Sequence, residues 1–563
     1  MKDRIRVVII GGVACGAKTA ARLARICPNA DITILERGDD LSYANCGFPF
    51  LIGGEIKNCN LLTHTGFGAA RDQDYFDRYA FTNALTGHEV INIDRESKNV
   101  TAKIKSTGDT VIFPYDKLVI STGASPIIPN MQGINLENVF TLWTLNDAKA
   151  INNVLTNSRV NIKKAAIIGA GLVGMETAEA LKHKGIDVTM IDALPLPLYT
   201  IAGEEFGLFI KKELEKNEIK FYGEEKLVEI RGDEFASGVI TDKRDIEADL
   251  VIVSIGVRPN LELAEKAGIA IGKRAILTDS SMRTSDPDIY AGGDSVECLN
   301  IITGKHVWQP MGSTANRHGR VIADNIAGYR SEFTGVEGTA IVRVFDYSVG
   351  KTGLTLKAAE DAGFHPIEML TANPDIPGFM PGSSMILIKL VADAKTRRVL
   401  GAEMIGTGRI DKRLDVIATA IKGNLTIDSV ADIDLAYSPP FATALDPVTH
   451  AANSLRNKMD GFIRSLSPSE LRIKEQRGDN FMILDVRNYE EIKRFGKLKY
   501  NVVNIPLGEL KTRVTELPKE SDIVIVCRSA VRAWNAYSIL SRFGYSNMTV
   551  LEGGMVSWCY EAG

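Results

Sequence analysis

Two cysteines stand in surroundings that could make them reactive, and the first is Cys527. It follows a β-type run at residues 523–526 and opens the segment CRSAVR, residues 527–532. At the start of a helix, backbone N–H groups would surround the sulfur, and Arg528 and Arg532 would add positive charge. Both effects lower the pKa of a thiol and stabilise an anionic sulfur or a persulfide. The segment therefore predicts a sulfur-handling nucleophile.

The second is Cys46, in the segment SYANCGFP. No other cysteine lies within four positions of it, so its oxidised state has to be held as a mixed disulfide or a persulfide. Its neighbours Asn45 and Gly47 indicate only a turn. A redox role is favoured by the place of this turn, ten residues after the acidic end of a nucleotide-binding unit at Glu36.

The elements before Cys46 follow the order of a Rossmann βαβ unit. An apolar run at residues 5–10 leads into GGVACG, an alanine-rich helix follows, and a second strand ends in an acid. The glycines of such a turn let the backbone approach a pyrophosphate at the helix N-terminus, and the acid faces ribose hydroxyls. Val13 departs from the pattern, because it occupies the place of the middle glycine. The residues predicted to hold a dinucleotide here are Gly11, Gly12, Gly16 and Glu36.

A second unit of the same kind begins near residue 165. The segment GAGLVG supplies another glycine turn, and the next strand ends at Asp192. Two dinucleotide sites in one chain suggest FAD together with NAD(P). An acid at this strand end favours the free 2′-hydroxyl of NADH, and no arginine follows closely to bind the 2′-phosphate of NADPH. We therefore predict NADH, preferred over NADPH, at Gly169, Gly171, Gly174 and Asp192.

Three further segments belong to the nucleotide-binding part. The runs 118–124 and 250–259 each look like a strand entering a tight glycine turn. The segment YAGGD ends a strand in small residues and an acid, whose carboxylate would accept a hydrogen bond from a ribityl hydroxyl of FAD. The candidate residues in these segments are Thr122, Gly123, Gly256 and Asp294.

Composition argues against several classes of protein. The chain has 563 residues, a net charge of −4 and 24% charged residues, so it lacks the basic excess of a nucleic-acid-binding protein. No apolar run reaches the length of a membrane span, and the apolar start leads into a glycine turn without a cleavage site. The seven cysteines have neither disulfide-framework nor metal-site spacing. We expect a cytoplasmic protein with no metal, no nucleic acid and no membrane partner.

The motifs together resemble a known family. Residues 1 to about 450 are similar to the coenzyme A disulfide reductase branch of the pyridine nucleotide-disulfide oxidoreductases, through GGVACGA, SYANCGFP, STGASP, GAGLVGME, AGGD and DKRLDV. From about residue 465 the chain resembles a rhodanese domain, through LDVR, NIP and the six-residue CRSAVR loop. The resemblance implies an α/β protein with two Rossmann-like nucleotide-binding domains, an α+β dimerisation domain and a C-terminal rhodanese α/β domain, assembled as a homodimer.

The expected domain boundaries follow the chain. The predicted domains are an FAD-binding domain in two parts (1–150 and 281–335), an NAD(H)-binding domain (151–280), a dimerisation domain (336–452), a polar linker (453–469) and a rhodanese domain (470–563).

The resemblance also implies roles for individual residues around the first thiol. Cys46 would be the redox thiol that forms a mixed disulfide with CoA, and Ser42 and Asn45 would flank it. Arg22 and Arg25 match family positions that contact CoA phosphates. CoA is therefore a candidate ligand or substrate.

This chain differs from the family in which aromatic hydroxyls it carries. Tyr437 matches a tyrosine that reaches the thiol site of the partner subunit, where it would donate a proton or hydrogen bond to a leaving thiolate. Phe379 and Phe441 stand where the family commonly has tyrosine. A missing hydroxyl leaves a thiolate contact unmade, which costs about 1–3 kcal/mol if the contact is buried. These departures argue against efficient CoA disulfide turnover.

Taken together, the residues and the resemblance predict an FAD-dependent, NADH-using reductase of persulfides, polysulfides or CoA persulfide. Cys527 would deliver or accept sulfane sulfur. Three alternatives stay open: a CoA disulfide reductase with an auxiliary rhodanese domain, a slow redox sensor or sulfur carrier that binds partner proteins, and an NADH oxidase. The last would reduce oxygen at Cys46 through a sulfenic acid.

Overall fold

A computed structural model describes residues 4–157 and 161–560. The chain forms two compact units: the first runs to residue 193 and resumes over 218–336, and the second holds 194–217 and everything from 337 onward. The extreme ends of the first and last predicted domains, 1–3 and 561–563, lie outside the described residues. Over the described ranges, no helix combines the length and the apolar character that crossing a membrane requires.

The first unit contains most of the strands. Up to residue 157 the elements are β1 (Ile5–Ile10), α1 (Cys15–Ile26), β2 (Ala30–Leu35), α2 (Phe48–Gly53), α3 (Asn60–Thr63), α4 (Gln73–Ala80), β3 (Thr82–Leu85), β4 (His88–Asp94), β5 (Asn99–Ile104), β6 (Thr110–Pro114), β7 (Lys117–Ile120), β8 (Ala124–Pro126), β9 (Val139–Phe140) and α5 (Leu145–Asn157). From residue 161 to 336 the chain forms β10 (Lys164–Ile168), α6 (Leu172–His183), β11 (Asp187–Ile191), α7 (Tyr199–Lys216), β12 (Lys220–Tyr222), β13 (Leu227–Gly232), β14 (Ala236–Thr241), β15 (Asp245–Glu247), β16 (Leu250–Val253), β17 (Val257–Pro259), α8 (Glu262–Lys266), β18 (Ile289–Ala291), β19 (Cys298–Leu299), β20 (His306–Val307) and α9 (Gly312–Ile326), of which α7 belongs to the second unit.

Two parallel five-stranded sheets organise this unit. Their strand orders are β18-β7-β1-β2-β3 and β12-β11-β10-β16-β9. The strand β1 reads IRVVII without polar alternation, as expected for a parallel strand covered on both faces, and its residues 7–10 are buried. Each sheet places a glycine turn and a helix N-terminus at the carboxyl end of its central strand, which is where such folds bind nucleotides. The predicted Rossmann-like architecture is confirmed.

The second unit contains one antiparallel and one parallel sheet. Its remaining elements are β21 (Ala340–Val344), β22 (Tyr347–Gly353), α10 (Leu356–Asp361), β23 (Pro366–Pro374), β24 (Met385–Asp393), β25 (Val399–Gly406), α11 (Asp411–Lys422), α12 (Ile427–Ala431), α13 (Pro447–Met459), β26 (Ser465–Leu466), α14 (Pro468–Gln476), β27 (Met482–Asp485), α15 (Tyr489–Phe495), β28 (Val502–Asn504), α16 (Leu507–Arg513), β29 (Ile523–Val526), α17 (Val531–Arg542) and β30 (Met548–Leu551). The antiparallel order is β21-β22-β25-β24-β23, and the parallel order is β26-β30-β29-β27-β28. These are the predicted α+β and rhodanese α/β domains.

The structure corrects the predicted linker. Helix α13 continues to Met459, strand β26 follows at Ser465, and α14 begins at Pro468, so most of the range 453–469 is regular structure. The stretch looks polar because α13 is amphipathic. Its buried face includes Ala451, Ala452 and Leu455, while residues 453, 454 and 456–458 of the same helix are polar and less buried.

Helix α7 also departs from the predicted boundaries. It lies inside the range predicted for the NAD(H)-binding domain but belongs to the second unit. Its buried face carries Phe206, Ile210 and Leu214. Glu205 of the same helix lies 2.5 Å from Lys389 Nζ on β24, which ties the helix to the antiparallel sheet.

Candidate active site

The turn between β1 and α1 brings together the residues predicted for the first dinucleotide. Glu36 Oε2 accepts the N–H of Gly12 at 2.7 Å, and its Oε1 accepts the N–H of Gly38 at the same distance. A side chain at Gly16 would lie 1.9 Å from the carbonyl oxygen of Gly11, so only glycine lets the helix start this close to the strand. The carboxylate thus organises the turn and retains lone pairs for a ribose.

The second turn repeats this construction at β10 and α6. Asp192 Oδ2 accepts the N–H of Ala170 at 2.6 Å. A side chain at Gly174 would lie 2.0 Å from the carbonyl oxygen of Gly169, and Gly171 precedes the helix in an extended conformation. The two predicted nucleotide turns therefore share one geometry.

The turns after β7 and β16 are joined by hydrogen bonds. Thr122 Oγ1 donates to the carbonyl of Asn260 at 2.9 Å, and the side-chain amide of Asn260 donates to the carbonyl of Thr122 at 2.8 Å. Gly123 and Gly256 both adopt positive φ angles, and the carbonyl of Gly256 accepts the N–H of Ile127 at 3.0 Å. The Thr122 hydroxyl thus donates its hydrogen bond to a group of the protein itself.

Asp294 carries a carboxylate that needs a partner. Among the described residues no donor reaches its side chain, although Trp308 Nε1 donates to its backbone carbonyl at 2.8 Å. Burial raises the pKa of this carboxyl to about 6. The residue is half-buried, so its carboxylate is open on one side to a hydroxyl donor of the kind a ribityl chain offers. This carboxylate and the glycine cradle around Gly16 fit FAD.

Cys46 lies in a 3₁₀ turn that leads into α2. Its thiol is open to solvent on one side, and Sγ lies 3.7 Å from Asn45 Oδ1. Partial burial raises the pKa of the thiol, the charges of Glu176 and Asp294 raise it further, and the backbone N–H of Cys46 lowers it. Stabilisation of a thiolate here would have to come largely from a bound group.

The residues predicted to contact CoA differ in whether they already form hydrogen bonds within the protein. The N–H of Ser42 donates to the carbonyl of Gly12 at 3.0 Å, and this joins the thiol segment to the first nucleotide turn. Arg22 Nε donates to Asp324 Oδ1 at 2.8 Å, whereas Arg25 is exposed in the last turn of α1. A phosphate at Arg22 would have to share the guanidinium with that carboxylate.

The second reactive cysteine lies at the carboxyl end of β29, in the second unit. Cys527 is only 1% exposed, and its loop lies against Gly554, where a side chain would meet Cys527 O at 2.5 Å. The carbonyls of Cys527 and Arg528 accept the N–H groups of Met555 and Val556 at 2.8 and 3.0 Å. The loop leads directly into α17, and the contact of its N–H groups with the sulfur stays a prediction.

The two arginines of this loop are not equivalent. Arg532 forms two 2.6 Å hydrogen bonds with Glu491, and this pairing lowers the pKa of the carboxyl to about 2. The guanidinium of Arg528 lies 5.3 Å above the ring of Phe495. Sequence reasoning missed Glu491, although the N-terminal capping pattern from Asn488 to Glu491 marked the start of its helix. Most of the charge of Arg532 is therefore cancelled inside the domain.

Tyr437 lies exposed in the second unit, in the segment between α12 and α13. The segment is anchored by Arg413, which is buried and donates through Nη2 to Asp446 Oδ2 at 2.9 Å and to the carbonyl of Asp375 at 2.7 Å. Phe441 is exposed as well, and Lys412 Nζ donates to its carbonyl at 3.0 Å. The DKRLDV motif thus holds the segment that presents the predicted tyrosine.

One side-chain group in the described residues has the composition of a metal site. Glu55, Glu179 and His183 place ligand atoms within 4.8 Å of one another, with Glu179 buried and the others exposed. Exposed carboxylates often cluster without an ion. The sequence expectation of no metal stays a prediction.

Comparison with known proteins identifies three family regions. Residues 5–316 match the pyridine nucleotide-disulphide oxidoreductases, residues 339–448 their dimerisation domain, and residues 467–561 the rhodanese-like domain. A curated relative from Pyrococcus horikoshii, the "NAD(P)H coenzyme A polysulfide/persulfide reductase", is 33% identical over 80% of this chain and 98% of its own length.

Two of the similar solved structures match this chain over nearly its full length. A NAD-dependent persulfide reductase from A. fulgidus is 37% identical, with a TM-score of 0.93 over 98% of this chain and 100% of its own. The reduced CoADR-RHD of Bacillus anthracis is 32% identical, with a TM-score of 0.91 over 99% of this chain and 98% of its own.

Proposed function

We propose that this chain, which belongs to the pyridine nucleotide-disulphide oxidoreductase family and ends in a rhodanese-like domain, is an NADH-dependent reductase of persulfides and polysulfides, CoA persulfide among them. The observation that carries the proposal is the buried Cys527 between strand β29 and the start of helix α17, on the same chain as the single thiol Cys46. The names of the P. horikoshii and A. fulgidus relatives support it.

The family works with FAD and NAD(P)H, and the residues present fit both. The turn at Gly11, Gly12, Gly16 and Glu36 would hold the FAD pyrophosphate and ribose, and Asp294 its ribityl chain. Bound FAD would carry two electrons from the nicotinamide to the sulfur at Cys46. Asp192 supports NADH over NADPH, because its carboxylate would repel a 2′-phosphate.

The chemistry at Cys46 begins with a thiolate attacking a sulfur–sulfur bond. Attack on the inner sulfur of R–S–SH forms the mixed disulfide Cys46–S–S–R and releases HS⁻. The hydride of one NADH then supplies the two electrons and the proton that convert this disulfide to the Cys46 thiolate and RSH. Tyr437 is placed by the family resemblance to donate a hydrogen bond to the leaving thiolate, from the partner subunit of a homodimer.

Cys527, the rhodanese thiol, would deliver or accept sulfane sulfur in the form of a persulfide. The Cys527 thiolate attacks the outer sulfur of a donor R–S–SH, so that Cys527–S–SH forms and RS⁻ leaves. Arg528 and the N-terminus of α17 stabilise the persulfide anion. The exposed Arg25, with Arg22 beside it on α1, would bind the phosphates of CoA as carrier R.

The deciding experiment is anaerobic NADH oxidation by the full-length protein with CoA persulfide, polysulfide and CoA disulfide offered separately. We expect preference for the sulfane-sulfur acceptors and loss of turnover in Cys46→Ser. Cys527→Ser should lose sulfur transfer from a donor to a thiol while keeping NADH oxidation with CoA persulfide. Cys59→Ser, a change at a partly exposed cysteine outside both sites, is the matched control.

The contrary result is equally clear. Preference for CoA disulfide over both sulfane-sulfur acceptors would establish a CoA disulfide reductase with an auxiliary rhodanese domain and refute the proposal. Oxygen consumption that matches NADH oxidation in air, with no sulfur acceptor present, would instead identify an NADH oxidase.

A further inference from the structure

A buried histidine lies directly behind the turn that carries Asp294. His318 of α9 is 0% exposed, and its Nδ1 lies 3.2 Å from the backbone nitrogen of Gly293. Its other ring nitrogen, Nε2, lies 3.6 Å from Cys298 Sγ. None of the steps described above uses this side chain.

The contacts fix the tautomer of the ring. A backbone N–H can only donate, so Nδ1 must be the unprotonated nitrogen that accepts it, and Nε2 carries the proton. Burial, reinforced by the charge of Arg317, lowers the pKa of His318 to about 3, which keeps the ring neutral. Burial raises the pKa of the Cys298 thiol to about 12, so its sulfur stays protonated and serves as a weak acceptor for Nε2–H.

The ring is also fixed by packing. Phe333 meets it edge to face, with 4.3 Å between ring centroids and 87° between planes. A side chain at Gly292 would lie 2.7 Å from Cys15 Sγ and 3.1 Å from His318 Cβ, so the turn is held between α1 and α9. The turn thus has no space in which to relax sideways.

Gly293 itself needs an external partner. It has φ of +80°, a conformation that L side chains rarely adopt, and it opens the 3₁₀ turn Gly293–Ser295 that contains Asp294. The hydrogen bond from its N–H to His318 ties this turn to helix α9. Trp308 Nε1 holds the next residue through the carbonyl of Asp294 at 2.8 Å, so the two bonds together fix the backbone that presents the Asp294 carboxylate.

We propose that His318 is a positioning residue for the flavin: it accepts the N–H of Gly293 and so aims the Asp294 carboxylate at the ribityl chain, while Cys298 holds the imidazole in the required tautomer. The proposal rests on the FAD site described under the proposed function. It assigns to this buried pair a role in flavin retention and none in sulfur chemistry.

The test compares two substitutions that differ in where they place an acceptor. In His318→Asn the side-chain oxygen can occupy the position of Nδ1, whereas in His318→Gln the polar group reaches only the position of Nε2. His318→Leu removes both. The measured quantity is the rate at which the full-length holoenzyme releases FAD, followed as flavin in an ultrafiltrate over time.

We expect His318→Gln and His318→Leu to release FAD about tenfold faster than the wild type, and His318→Asn to stay within about threefold. Rescue by asparagine is the readout that a purely space-filling role would not give. Equal retention in all three variants, or equal loss in all three, would overturn the proposal.

Cys298 gives an independent measurement if the histidine variants fold poorly. Cys298→Ser keeps an acceptor for Nε2–H and should retain FAD, whereas Cys298→Val should release it about two- to fivefold faster. Equal release from both would contradict the proposed tautomer. A wild-type protein that never binds FAD would refute the proposed function instead, so the two failures are distinguishable.

Discussion

At the scale of single residues, the pairing of Arg532 with Glu491 sets the charge of the rhodanese loop. Because Glu491 cancels most of that charge, we expect a weak response to dianionic donors such as thiosulfate. Glu491→Gln keeps an oxygen that can cap α15 but frees the guanidinium. The kcat/KM for thiosulfate, measured as thiocyanate formed from cyanide, should rise about three- to tenfold.

The neighbouring Glu490 provides the control for this change. It is exposed and, within the part of the chain that the structure describes, pairs with Lys493 alone at 3.0 Å, so Glu490→Gln should leave the rate unchanged. A fall in activity with Glu491→Gln would show that the ion pair positions Arg532 for catalysis, contrary to this expectation.

At the redox thiol, Cys46, a nearby carboxylate affects the pKa of the reactive sulfur. Glu176 raises the pKa of Cys46, so Glu176→Gln should lower it and increase the thiolate fraction at neutral pH. Alkylation of Cys46 by iodoacetamide, followed by peptide mass spectrometry, should be about two- to fivefold faster at neutral pH and equal to wild type at high pH. Glu179→Gln on the same helix should not change the rate, and equal acceleration by both would contradict the assignment.

At the scale of elements, the segment that presents Tyr437 depends on one buried ion pair. Arg413 and Asp446 are both buried, and Asp446 also caps α13 by accepting the N–H of Val448 at 3.0 Å. Asp446→Asn keeps an acceptor for the cap but leaves Arg413 as an unpaired buried charge. The free energy of unfolding of the second unit should fall by about 3 kcal/mol in urea titrations.

A surface pair of the same type is the control. Asp361 and Lys357 are paired in the exposed part of α10, so Asp361→Asn should change the free energy of unfolding by less than about 0.5 kcal/mol. If the free energy of unfolding fell equally in the two aspartate variants, the buried ion pair would contribute no more to stability than the exposed one.

Elements of this protein differ in how well the sequence predicts them. The strands and the turns at Gly16 and Gly174 are local features, in which apolar runs and small residues have a direct structural meaning, and they were predictable. Glu491, Asp446 and His318 were not, because their partners lie 41, 33 and 25 residues away along the chain. The linker prediction failed for the related reason that polarity alone does not show which face of a helix is buried.

At the scale of the whole chain, buried carboxylates attach the rhodanese domain to the dimerisation domain. Glu552, which is 0% exposed, accepts the N–H of Leu370 at 2.8 Å, Lys458 Nζ at 2.6 Å and Ser465 Oγ at 2.7 Å. Glu205 adds a second attachment, because it accepts the N–H of Ser469 at 3.1 Å. The two domains of the second unit therefore form one body.

This attachment is predicted to depend on pH through Glu368. Burial raises the pKa of its carboxyl from 4.5 to about 7, against the charge of Lys389 and with help from Glu205 and Glu552. Between these values the unfolded chain ionises while the folded chain does not, so the stability contributed by Glu368 falls as the pH rises through that range. Glu368→Gln should therefore be about 1–2 kcal/mol more stable than wild type near pH 8 and nearly equal near pH 5.

Urea unfolding of the second unit at the two pH values checks this prediction. Glu360→Gln, a change at an exposed glutamate, should show the pH dependence of the wild type. A Glu368→Gln variant that loses stability near pH 8 would mean that the ionised carboxylate is stabilised by Lys389 more than it is penalised by burial.

The docking of the rhodanese domain through Glu552 and Glu205 also determines how sulfur can travel. A carrier domain on a flexible arm delivers its cargo by moving to the recipient, but a domain packed in place on buried hydrogen bonds has no such freedom. Cys527 therefore keeps one position relative to the dimerisation domain, and an acceptor has to come to its loop to take the sulfur. Where that acceptor is a free small thiol, the rate of sulfur release should depend on the concentration of that thiol.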